Sequence, residues 1–168
     1  MAIKGMKELQ RKLSSLSKEG AKEFALITKA NAVDLSEKAK MDAPAFDGYL
    51  KQSIVAVKDT EYNYIVGSNE PYAPFVEFGT GKKVQIPKGF ESLASEARKN
   101  NKGTFKDGLK RIKEWCRKKG IPESAAYPIL VSLINNGQAP KPYLIPNFLK
   151  QKGIYIKELK EAIKRLVK

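Results

Sequence analysis

Pro71-Tyr72-Ala73-Pro74-Phe75-Val76-Glu77-Phe78-Gly79-Thr80-Gly81-Lys82-Lys83 sets three aromatic side chains, one carboxylate and two glycines between a strand-like run and a run ended by proline. Nowhere else in the chain are constraints so dense. Pro71 and Pro74 fix φ and disfavour helix at the residue before each, so Phe75 to Phe78 has room for about one helical turn. Gly79 and Gly81 then end that turn through positive φ. Read from the residues alone, the stretch is a surface turn with a buried aromatic anchor.

Working outward, Ser53–Lys58 and Tyr62–Gly67 are rich in β-branched and aromatic residues, and Lys58-Asp59-Thr60-Glu61 between them has turn chemistry. They read as an antiparallel hairpin. Val84-Gln85-Ile86 reads as a third strand ended by Pro87. Ahead of the hairpin, Met6, Leu9, Leu13 and Leu16, then Phe24 and Ile27, recur at helical spacing up to Asp42-Ala43-Pro44. Gly20 marks a kink or a break, giving one long bent helix or two shorter ones. Residues 21 to 40 are expected to pack on the core, whereas residues 3 to 18 suit the core or a neighbouring subunit equally.

Beyond the third strand the pattern is helical again. Phe105, Leu109, Ile112 and Trp115/Cys116 trace one face of a segment closed by Gly120, and Ala126, Ile129, Leu130, Leu133 and Ile134 trace a second that ends at Asn136-Gly137. Pro128 fits the second only in its first turn or at a kink. Residues 92 to 104, polar and lysine-rich, read as a connection. Pro140, Pro142 and Pro146 keep the next segment extended, as a strand beside the hairpin or a hook over the core, with Tyr143 and Leu144 available for burial. Ile156, Leu159, Ile163 and Leu166 then give an amphipathic basic helix. The fold class is α+β: a small antiparallel sheet, the hairpin plus one or two further strands, packed by a long N-terminal and a C-terminal helix. One domain, 1–168, carries 89–137 as an inserted helical lobe.

Composition narrows the chemistry. The chain of 168 residues has one cysteine, Cys116, and no histidine, which leaves no internal disulfide and removes the commonest general base and metal ligand. Neither a cofactor nor a metal is expected. No apolar run approaches the roughly 20 residues of a membrane span, and Met1-Ala2-Ile3-Lys4 lacks an apolar signal core, so a cytoplasm-like site of synthesis and no membrane partner are expected. The net charge of +14 is uneven. Residues 98 to 119 hold ten Lys/Arg against Asp107 and Glu114, and residues 141 to 168 hold eight against Glu158 and Glu161. Such a field suits an acidic protein surface, nucleic acid or plain water, and weakens with salt. A nucleic-acid-binding module is the rival reading, with Tyr62, Tyr64 and Phe75 near the sheet, although no recognition-helix, RNA-recognition or KH signature is present. An enzyme reading would pair Glu77 with Asp42 or Asp47. Gly79-Thr80-Gly81-Lys82-Lys83 is no phosphate loop, since no Ser or Thr follows Lys82.

Three segments also resemble a known family. Pro71 to Gly81, Lys40-Met41-Asp42-Ala43-Pro44 with Gly48-Tyr49-Leu50-Lys51-Gln52-Ser53-Ile54, and Gln138-Ala139-Pro140-Lys141-Pro142-Tyr143-Leu144-Ile145-Pro146-Asn147-Phe148 are similar, in order and spacing, to elements of the HK97 gp10-like proteins of tailed bacteriophages. This chain departs from them with Asp47 in place of Thr, Tyr143 of Phe and Asn147 of Ala. The resemblance implies a structural virion protein of the neck or tail-completion complex rather than an enzyme, made in the host cytoplasm and placed in the virion. Its implied partners are further copies of itself in a six- or twelve-fold ring, a head-completion or connector protein, and a tail-terminator or tail-tube protein, with non-specific contact to genomic DNA besides. The residue roles it implies are structural. Tyr72, Phe75 and Phe78 anchor the central loop, and Glu77 bonds backbone N–H groups or pairs with a lysine. Gly79 and Gly81 permit the turn, and Pro142, Tyr143 and Leu144 lock the closing segment.

Overall fold

The computed structural model describes residues 6–45, 48–99 and 104–167. Helix α1, Met6–Asp42, runs for 37 residues, roughly 55 Å at the usual helical rise. It passes Gly20 without interruption, against the expected kink or break. A Cβ at Gly20 would meet Leu166 Cδ1 at 3.1 Å, so this glycine admits a neighbouring helix. The side chains of Met6, Leu9, Leu13 and Leu16 lie outside the described set.

A short helix α2, Tyr49–Ser53, follows Pro44 and leads into β1, Ile54–Thr60, and β2, Asn63–Ser68, joined by the turn at Glu61-Tyr62. The strands pair antiparallel with Ala56 opposite Val66 and Val57 opposite Ile65. The period of two turns Ile54, Ala56, Tyr64 and Val66 toward α1 and leaves Val55, Val57 and Ile65 exposed. Among the described residues the sheet has only these two strands. The expected third strand, Val84-Gln85-Ile86, does not form. A single 3-10 turn at Gly81–Lys83 redirects the chain, and the Gln85 N–H is spent on Phe78 O at 2.9 Å. The segment after Gly137 adds no strand either, and takes the hook form.

Between them lies α3, Ala73–Phe78, which starts before Pro74 against the expectation that Ala73 stays out of the helix, because a proline in the first turn forfeits no intrahelical bond. Helix α4, Glu91–Lys99, occupies most of the stretch expected as a connection. Its polar composition is overridden by tertiary contact, because Ala94 is fully buried with Phe78 and Ile145. Asn100, Asn101 and Gly103 of that expected connection lie outside the described residues. Helix α5, Phe105–Lys119, starts with a capping box between Thr104 and Asp107 and ends at Gly120 in the left-handed region, φ 68°. Helix α6, Ala126–Asn136, accommodates Pro128 in its first turn. These last two share their own apolar cluster of Ile112, Cys116, Ala126 and Leu130, while Ile134, expected inside, is exposed.

Helix α7, Ile145–Val167, runs antiparallel along α1. The contact is largely polar. Asn31 donates to Glu158 at 2.6 Å and accepts from Gln151 at 2.7 Å, and Lys38 donates to Gln151 at 3.0 Å. Thr28 and Tyr155 share a hydrogen bond of 3.0 Å, and Asn147 donates to Asp42 at 2.7 Å. This ladder sets which face of α7 turns inward. Of the apolar stripe expected to be buried, Leu159 and Leu166 are half-buried whereas Ile156 and Ile163 are exposed. The main core, centred on Ala39, Leu50, Ile54, Val76 and Tyr143, lies between α1, the hairpin and the loop after α6. No helix among the described residues is long and apolar enough to cross a membrane.

Candidate structural clasp and interaction faces

The quoted stretch closes on the hook between α6 and α7, and Glu77 is the pivot. Buried to 6% exposure, its Oε2 accepts the backbone N–H groups of Tyr143 at 2.9 Å and Leu144 at 3.0 Å, and its Oε1 accepts that of Ile145 at 2.9 Å. Three donors at the start of α7, which have no partner within the helix, are therefore satisfied by one carboxylate placed where the helix dipole favours negative charge. Lys141 N–H adds a bond to Val76 O at 2.8 Å. Tyr143 is buried against the same core, and burial, reinforced by the Glu77 carboxylate, pushes its phenol well above the ordinary range.

The glycines let two backbones cross. At Gly79, φ 74° and ψ −177°, a Cβ would lie 2.7 Å from Gln138 O and 2.8 Å from Lys83 O. Gly81, φ 56°, lies against Gly137, itself at φ 69° with Thr80 O only 2.3 Å from any Cβ. Thr80 N–H donates to Gln138 O at 2.9 Å, and Gln138 N–H returns a bond to Thr80 Oγ1 at 2.7 Å. Gly137, Thr80 and Gln138 thus carry as much of the crossing as Gly79 and Gly81. Gly137 reads in sequence as a helix stop, and nothing local signals the segment that it meets. Asn147 closes the arrangement by donating to Asp42 and, at 2.8 Å, to Tyr143 O.

The aromatic residues diverge. Phe78 is buried with Ala94, Ile145 and Phe90, and Phe90 meets the Phe148 ring edge-on with centroids 6.2 Å apart. Tyr72 packs on the main core with the Arg111 guanidinium 4.9 Å above its ring. Phe75 lines the cleft between α3 and the α5–α6 pair. Leu144 is half-buried on the core and Pro142 is exposed.

Among the described residues, both candidate carboxylates are engaged in hydrogen bonds. Both Glu77 oxygens are taken by backbone, Asp42 holds Asn147, and Asp47 lies outside the described residues. A different kind of surface is prominent. On α1, Leu26, Val33 and Met41 are 67, 44 and 75% exposed on the side away from the core, with exposed Ala30 between them. The outer hairpin face adds Val57 and Ile65, cross-strand partners that both face solvent. Exposed apolar side chains on one face, here flanked by Lys29, Asp34 and Glu37, mark a candidate interaction surface.

No curated protein and no solved structure matches the chain. Residues 7–79, from the first turn of α1 to the glycine that ends α3, match the family model described as "Bacteriophage HK97-gp10, putative tail-component", the family whose elements the sequence resembles.

Proposed function

We propose that this protein is a structural component of a tailed bacteriophage, assembling as a homo-oligomeric ring of six or twelve copies in the neck, between the head-completion or connector protein and the tail-terminator or tail-tube protein. The observation that carries the reading is the apolar stripe of Leu26, Ala30, Val33 and Met41, which lies on the face of α1 opposite the core and belongs to none of the apolar clusters among the described residues. A head-to-tail ring needs two different patches on each copy. The stripe is one, and the outer hairpin face is the second. The clasp supports a structural role as well, because its carboxylate and its glycines are consumed in holding the chain to itself.

The test is mass and shape. Native mass spectrometry and electron microscopy of the purified chain should give closed oligomers, and the Leu26→Glu/Val33→Glu double variant should remain monomeric with an unchanged melting temperature. A parent chain that stays monomeric at every concentration, and is absent from the neck of purified particles, would remove the ring. The basic segments favour a second reading, nucleic-acid binding. Steeply salt-dependent binding of duplex DNA by the isolated chain, with no oligomer, would select it. In the ring reading, contact with passing DNA is weak and non-specific.

A further inference from the structure

The cleft between the clasp and the α5–α6 pair has a volume of about 390 Å³, within the range of sites that take a ligand or a peptide side-chain cluster. One wall carries Leu50, Phe75 and Val76 and the other Trp115, Leu130 and Leu133. Two cations stand at the lining, Arg111 and Lys141, and no carboxylate lines it among the described residues. Arg111 is engaged by Glu70 at 3.3 Å and by the Tyr72 ring. Lys141 is exposed and makes no ion pair among the described residues. Beyond the lining, α5 ends in Arg117-Lys118-Lys119, of which Arg117 pairs with Glu123 and Lys118 sits over the Tyr49 ring.

From this pairing of an apolar interior with the unpaired Lys141 at its rim, we infer that the cleft is a docking site for an acidic segment of a different protein, one that inserts an aliphatic or aromatic side chain while an adjacent Asp or Glu meets Lys141. The apolar walls supply the anchor, and the rim cation supplies orientation and selection against basic segments. This goes beyond ring formation, and it can be read on the isolated chain whether or not copies associate.

Trp115 is the sole tryptophan and lies in the cleft wall, so its emission reports occupancy directly. Three synthetic ten-residue peptides serve as probes: a Leu-Phe core flanked by Asp and Glu, the same core flanked by Lys, and the acidic flanks around an Ala-Ala core. The first should shift Trp115 emission to the blue and saturate, and the other two should leave it unmoved. Lys141→Glu, at an exposed position, should weaken the first peptide by about tenfold without changing the circular dichroism. Equal binding of the Ala-Ala peptide would reduce the effect to a polyanion on a basic protein and overturn the proposal. So would an unchanged affinity in Lys141→Glu.

Discussion

At the residue scale, the clasp turns on the difference between a carboxylate and its nearest neutral relatives. Glu77 accepts from three backbone donors, two on one oxygen and one on the other. Glu77→Gln keeps the shape but replaces one acceptor by an NH₂ group aimed at a backbone N–H, and it removes the charge from the helix start. We expect a loss of about 2–4 kcal/mol, read as a lower denaturant midpoint at constant slope. Tyr143 gives a pH-dependent counterpart. Its phenol stays protonated in the folded chain above the pH, about 10, at which the unfolded chain ionises. The unfolded state then binds fewer protons than the folded one, so this contribution is intact below pH 10 and is lost as pH rises from there toward the folded value. Thermal melts from pH 8 to 11 should fall more steeply for the parent than for Tyr143→Phe. That Glu77 bonds backbone N–H groups or pairs with a lysine was a choice that sequence leaves open, because the donors lie 66 to 68 positions away.

At the element scale, local pattern was informative wherever one element is explained by its own residues. The hairpin, the helical turn between Pro71 and Gly79, and the stop at Gly120 are all of that kind. The failures share a different cause. Val84–Ile86 has strand-like composition but bonds through Gln85 N–H to Phe78 O at the end of α3, α4 looks like a loop until Ala94 is seen against Phe78, and the inward face of α7 is chosen by polar partners on α1. Gly20 is the sharpest case, for a glycine that propensity reads as a break is instead a contact. Leu166 meets it with the free end of a flexible side chain near the close of α7, and that end can yield by the few tenths of an ångström that a methyl group needs. The helical gain of alanine over glycine should then prevail. Gly20→Ala is expected to raise stability by about 0.5–1 kcal/mol, and Gly20→Phe, which must displace α7, to lower it. Differential scanning calorimetry of the two variants checks both signs.

At the scale of the whole molecule, the described residues form three apolar clusters with no buried residue in common: the main core under the hairpin, the smaller one of Phe78, Ala94 and Ile145 beside it, and the α5–α6 cluster that contains Cys116. The end of α6 is tied to the body by the Thr80–Gln138 backbone crossing, and α5 reaches it through cation contacts. Arg111 reaches Glu70 and the Tyr72 ring, and the Lys118 ammonium sits 4.7 Å over the Tyr49 ring. Exposed pairs of this kind contribute a few tenths to about 1 kcal/mol each. Their sum is small beside the burial inside the main core or the α5–α6 cluster, so the α5–α6 pair should loosen from the body before either part unfolds. Removing both clasps with Arg111→Ala/Lys118→Ala should shift Trp115 emission to the red and speed its quenching by acrylamide, because Trp115 faces the cleft that opens. Far-ultraviolet circular dichroism should stay unchanged, since the capping box and the inner cluster of the pair are untouched. Raising salt on the parent chain should move emission in the same direction, as screened surface pairs require. An emission spectrum indifferent to both treatments would mean that apolar contact across the cleft, and not these cations, holds the α5–α6 cluster to the main core.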